Sequence, residues 1–172
     1  EGTIFYDGEP LIAVSELGLF GEHNVANAMA AAAAALSMGL GREAVREGLR
    51  GFAGVAHRLE QVAEIGGVRF VNDSKATNTA AARRALAAYP ERLHVILGGS
   101  RKGESFGELA RELHGRAYLI GETAGELADA LERAGVPFEQ SGDLATAVAA
   151  AAAAARPRDR PALAGLCELR PV

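Results

Sequence analysis

Between the apolar run VRFV and an alanine-rich stretch, the segment VRFVNDSKATNTAA places Asp73, Ser74, Lys75, Ala76, Thr77 and Asn78, residues with little to bury. A connecting turn needs only about two or three polar residues, usually with Gly or Pro among them. This one gathers a carboxylate, an ammonium, hydroxyls and an amide. Asp73 can accept hydrogen bonds from a ribose diol, and Lys75 can neutralise a phosphate. Thr77 and Asn78 stand at a predicted helix start, where unpaired backbone N–H groups favour an anion. A generous helix cap is the competing reading, but it accounts for Asn78 or Thr77 and not for the whole string. Arg58, just after a small-residue stretch, suits a phosphate; a plain surface ion pair would explain it equally. Lys102, in LGGSRKGESF, can hold a carboxylate or phosphate as a point charge, or be part of a solvated loop with Arg101. Together these groups suit a small anionic ligand next to a nucleotide.

The elements that must position them follow from pattern. Asp7-Gly8 predicts a hairpin over 2–14, and Gly66-Gly67 predicts another in LEQVAEIGGVRFVND. GEHNVANAMAAAAAALSMGLG reads as a long helix with Asn24 as its N-cap and Gly39 or Gly41 as its stop, and a second helix is expected over Arg42–Leu49. From Val68 onward strands, including LHVILGG and RAYLIG, alternate with helices near 78–89, 105–113, 123–134 and 144–155. That alternation predicts an α/β domain, a Rossmann-like, doubly wound, mostly parallel sheet covered on both faces. Ligands of such sheets bind beyond the carboxyl ends of the strands, where NDSKATN and GGSRKGES fall. GFAGVA at 51–56 is the expected hinge between two domains, 1–54 and 55–172.

Composition narrows the function classes. The chain has 172 residues, 49% of them apolar, and a net charge of -4. Its alanine runs, AMAAAAAAL and AVAAAAAAA, are too short to be membrane spans, which need about 20 apolar residues, so they read as packed helices. Mild acidity without a basic face argues against nucleic acid. The single Cys167 excludes a disulfide framework and suits a reducing, cytoplasmic setting. No G-x-G-x-x-G follows a strand, which removes the main support for a dehydrogenase, and no G-x-x-x-x-G-K-[ST] is present. No His or Cys pair has metal-site spacing, and His23, His57, His94 and His114 are scattered. Because the chain starts at Glu1 on strand-like sequence, we expect it to lie inside a larger protein.

Three motifs in order, GEHNVANAMAA at 21–31, FAGVAHRLEQV at 52–62 and VNDSKATNTAA at 71–81, supported by GGSRKGESF at 98–106, carry a family resemblance across nearly the whole chain. The chain resembles the Mur ligases of peptidoglycan precursor synthesis, which join an amino acid to a UDP-muramoyl peptide using ATP. NDSKATN is the discriminating string, similar to that of the branch adding D-glutamate to UDP-N-acetylmuramoyl-L-alanine. The resemblance implies a cytoplasmic, monomeric enzyme acting on small molecules, with ATP and with Mg2+ whose ligands lie outside this stretch. Residues 1–54 would be the tail of the central ATP-binding domain, and 55–172 the C-terminal ligase domain. It implies that Asn24 and Asn27 lie near the adenine, that Arg58 and Asp73 contact nucleotide phosphate and ribose, and that Lys75 is catalytic beside the reacting groups. Thr77 and Lys102 would grip the α-carboxylate of D-glutamate. The substrate carboxylate would be phosphorylated and the amine would attack the acyl phosphate, through a tetrahedral intermediate stabilised by cations. Lacking the phosphate loop, the chain alone is expected to be inactive. The alternative is a non-catalytic nucleotide or amino-acid binding module derived from such a ligase.

The tail departs from that pattern. The family's last strand leads into a string close to LLSPACASFDQF, whose Ser and Phe region holds the D-glutamate side-chain carboxylate, whereas this chain ends PALAGLCELRPV. One permitted codon set for ALAGLCELRPV, shifted forward by one nucleotide, reads LSPACASFDP. We therefore expect a change of reading frame near residue 160, a replaced strand from about Ala162, and a Cys167 with no functional role.

Overall fold

The computed structural model describes residues 2–19, 21–89, 92–100 and 103–156, together with the backbone of 162–164. The chain divides into two compact units, Glu1–Val55 and Ala56–Val172.

In the first unit, β1 (Thr3–Tyr6) and β2 (Glu9–Ala13) form an antiparallel hairpin. Its turn needs left-handed backbone at both central residues, and Asp7 (φ 53°) and Gly8 (φ 77°) adopt it. Two helices follow, α1 (Glu22–Ser37) and α2 (Arg42–Gly51). Ile4, Leu11 and Ile12 from the hairpin, Ala28 and Ala32 from α1, and Val45 from α2 make one core. Arg46 Nε donates to Leu11 O at 2.6 Å, and Arg42 Nη2 donates to Glu9 O at 3.2 Å, so α2 also grips the hairpin through backbone carbonyls.

The start of α1 corrects the sequence reading. Gly21 is the N-cap, not Asn24, and its φ of 91° is backbone that a side chain would oppose. Asn24 lies inside the first turn, and its N–H donates to Gly21 O at 3.0 Å. At the other end Gly39 (φ 90°) stops the helix: Gly39 N–H donates to Leu36 O and Leu40 N–H to Ala35 O. The second helix runs two residues past its expected end, to Gly51.

The second unit is a six-stranded sheet in the order β3-β4-β8-β5-β6-β7. β3 (Glu60–Ile65) and β4 (Val68–Asn72) form the antiparallel edge pair, turning through Gly66 (φ 61°) and Gly67 (φ 79°). β5 (Leu93–Gly98), β6 (Gly115–Ile120), β7 (Phe138–Gly142) and the short β8 (Ala162–Ala164) run parallel to β4. Helices α3 (Thr79–Ala87), α4 (Gly107–Glu112), α5 (Ala124–Ala134) and α6 (Leu144–Ala154) connect them.

Alternation along the strands sorts the two faces. Leu93, Val95 and Leu97 of β5 and Ala117 and Leu119 of β6 pack under α3, α4 and α5 with Leu86, Leu109 and Leu131. Ile96, Tyr118 and Ile120 point the other way, against Ala147 and Ala151 of α6, whose small side chains let the helix lie close to the sheet. The sheet is therefore covered on both faces. Among the described residues no helix is long and apolar enough to cross a membrane.

Strand β7 was not anticipated, and at Ala162–Ala164, where the last strand was expected to be replaced, the backbone still forms a short strand. β8 occupies the slot between β4 and β5, parallel to both. The rest of the tail, including Cys167 and residues 165–172, lies outside the described residues.

Candidate functional site

The carboxyl ends of β4, β5 and β6 and the start of the antiparallel β3 meet at one edge of the sheet. Backbone strain marks the approach to β3. His57 (φ 65°) and Leu59 (φ 47°) are non-glycine residues in left-handed backbone, an arrangement that persists only where neighbours hold it. Those neighbours are visible. Leu59 N–H donates to Asp73 Oδ1 at 3.1 Å, and Lys75 N–H donates to His57 O at 3.1 Å. Asn72 Oδ1 accepts from Ser74 N–H at 3.0 Å, which turns its amide nitrogen toward His57 Nδ1, 2.8 Å away.

The result is a fastened pair of loops. Asp73, only 7% exposed, is the buried pin. Arg58 and Lys75, on either side of it, stay exposed, and neither side chain makes a hydrogen bond or ion pair among the described residues. Ala76 N–H donates to Asp73 O at 2.8 Å and Thr77 N–H to Lys75 O at 3.0 Å, winding the chain tightly into α3.

Beyond this pair lies a shallow, solvent-open cleft, bounded by Thr77, Asn78, Ser100, Glu104 and Thr123 over Phe106 and Leu127. Glycines let its walls approach. A Cβ on Gly98 would stand 1.9 Å from Ile120 O, and Gly121 (φ 71°) packs against the Gly99 backbone. Thr123 then joins the loops after β5 and β6: its N–H donates to Gly99 O at 3.3 Å and its hydroxyl at 3.4 Å.

One expectation needs correction here. The first turn of α3 does not offer all its amides to a ligand, because Thr79 N–H donates to Glu104 Oε2 at 2.6 Å and Ala81 N–H to Asn78 Oδ1 at 2.8 Å. Asn78 is the N-cap. Two of the amides at the start of α3 are therefore already taken by side chains of the protein.

The fold thus brings together Arg58, Asp73, Lys75 and Thr77. Lys102 lies outside the described residues. Asn24 and Asn27 sit on α1 in the first unit, with Asn27 Nδ2 3.5 Å from Asn24 Oδ1. Glu104, Ser100 and Thr123 were not singled out from sequence. Thr123 carried a signal, the T-x-x-E spacing with Glu126 that suggests a capping box. The structure instead directs its hydroxyl to Gly99 O.

Comparison with known proteins places this edge in context. Residues 57–167 match the family model described as Mur ligase, glutamate ligase domain. The chain belongs to the Mur ligase family. Among its relatives, the UDP-N-acetylmuramoylalanine–D-glutamate ligase of Acidobacterium capsulatum is 46% identical over 162 residues, 92% of this chain and 35% of that protein. The protein of the same name from Rubrobacter xylanophilus is 46% identical over 171 residues, 97% of this chain and 39% of that one. This Mur ligase chain therefore spans little more than a third of these relatives' length. Its fold is shared with the UDP-N-acetylmuramate-alanine ligase of Thermotoga maritima, at a TM-score of 0.70 and 20% identity over 87% of this chain and 36% of that one.

Proposed function

We propose that this chain is the C-terminal part of a cytoplasmic, ATP-dependent ligase that joins D-glutamate to UDP-N-acetylmuramoyl-L-alanine in peptidoglycan precursor synthesis. The observation that carries the reading is the fastening of two loops to one another, Leu59 N–H to Asp73 Oδ1 and Lys75 N–H to His57 O, which leaves the cations Arg58 and Lys75 exposed on the chain that leads to Thr77 in the cleft wall. The same residues stand in a chain 46% identical to ligases bearing that name.

In this reading Glu1–Val55 is the tail of the ATP-binding domain, with Asn24 and Asn27 toward the adenine, and the remainder is the amino-acid-binding domain. Bound ATP supplies the phosphoryl group that activates the acceptor's carboxylate. Arg58 neutralises nucleotide phosphate, and Asp73 acts on the nucleotide in part by fixing the backbone on which Arg58 stands. Lys75 lies beside the reacting carbonyl and stabilises negative charge as the amine adds. Thr77, with Lys102, receives the α-carboxylate of D-glutamate and so aims the amine. In this reading the Mg2+ ligands belong to the rest of the ligase. The phosphate loop belongs there too, and the 172-residue chain by itself is inactive in this account.

The test is turnover. The complete ligase containing this segment, given ATP, Mg2+ and UDP-N-acetylmuramoyl-L-alanine, should release ADP with D-glutamate and not with L-glutamate or D-alanine. Nucleotide binding without turnover by any amino acid would replace the ligase with a binding module.

A further inference from the structure

We propose, on the basis of the ligase reading above, that Glu104 is a positioning residue for the amino-acid substrate, acting as a clasp between the two loops that face each other across the cleft. The loop ending in Thr77 and Asn78 follows β4, and the loop carrying Ser100 and Glu104 follows β5; the contact between Glu104 and Thr79 crosses 25 residues of sequence. It is short, 2.6 Å, and charge-assisted, because a carboxylate accepts from the first backbone N–H of α3 at the positive end of that helix. Both residues are half-buried and both line the cleft.

The clasp has two consequences. It ties the start of α3 to Glu104 in the loop after β5, and it occupies the first helix amide with a carboxylate of the protein itself. A substrate carboxylate entering the cleft thus finds that amide filled and is directed to side-chain donors. Glu104 acts through Thr79 and the α3 start, so its loss should be felt in how the amino acid is held and hardly at all in how the nucleotide is held.

The experiment uses the complete ligase with Glu104→Ala and Glu104→Gln, D-glutamate as the probe, and three Michaelis constants as readouts. Glu104→Ala should raise the KM for D-glutamate about tenfold, the size of one hydrogen bond to a charged group. The constants for ATP and the acceptor should stay within about twofold, and hydrogen exchange across 77–82 should quicken. Glu104→Gln keeps an acceptor oxygen and should recover most of the loss. An unchanged D-glutamate KM in Glu104→Ala, or an equal rise in all three constants with a fall in Tm, would overturn the positioning role. Absence of D-glutamate turnover in the unaltered enzyme would instead sink the ligase reading on which the role rests.

Discussion

The two ends of the candidate ligand-facing edge solve opposite problems. At the β3–β4 end the backbone is forced: His57 and Leu59 are held at positive φ by contacts with Asp73, Lys75 and Asn72, and two cations are left exposed. At the β5–β6 end the backbone is released by Gly98, Gly99 and Gly121, and polar groups turn toward one another, Glu104 to Thr79 and Thr123 to Gly99. Among the described residues, one end presents exposed cations and the other presents shape. The proposed reaction, which must stabilise developing negative charge and also choose one amino acid, needs both.

If that division is right, damage to the shape end should appear first as lost stability. Gly98→Ala drives a Cβ to 1.9 Å from Ile120 O, a backbone atom that cannot swing aside, and should cost about 3 kcal/mol by denaturant unfolding. Damage to the charge end should be smaller in stability and larger in nucleotide binding. Asp73→Ala leaves the Leu59 N–H without its acceptor and should cost about 2 kcal/mol, with a raised KM for ATP because Arg58 loses its fixed backbone. Asn78→Ala removes only the N-cap of α3 and should cost about 1 kcal/mol by the same unfolding measurement.

The weakest effect should come from behind the cleft, where Arg83 of α3 is hydrogen-bonded and ion-paired to Glu108 and Glu112 of α4. Hydrogen bonding to Arg83 holds the Glu112 carboxyl below its ordinary value of 4.5. A lowered folded-state value means the contribution is complete above about pH 4.5 and is lost as pH falls through the folded value. Thermal unfolding of Arg83→Ala should therefore fall slightly below the parent at pH 7 and converge with it once the pH has fallen through the folded value, since exposed pairs are weak.

Much of the frame was legible in the sequence because it rests on strong local rules. Asp7-Gly8 and Gly66-Gly67 gave both hairpins, and alternation of apolar runs with alanine-rich stretches gave the covered parallel sheet. β7 escaped because FEQSG has neither clear alternation nor β-branched residues. Asn24 misled because a good capping residue stood three positions after a glycine whose backbone freedom began the helix earlier. The proposed charge end was singled out as NDSKATN, since its composition exceeds what a turn requires. The shape end was not: the value of Glu104 depends on two strands lying in register so that a loop after one reaches a helix after the other.

The most direct test of the account is the kinetic split between Lys75→Ala and Thr77→Ala in the complete ligase. Lys75→Ala should lower kcat by about 10²- to 10³-fold with little change in the D-glutamate KM, while Thr77→Ala should chiefly raise that KM. Equal effects of both substitutions on KM, with kcat untouched by loss of Lys75, would contradict the assignment of transition-state charge to the β3–β4 end.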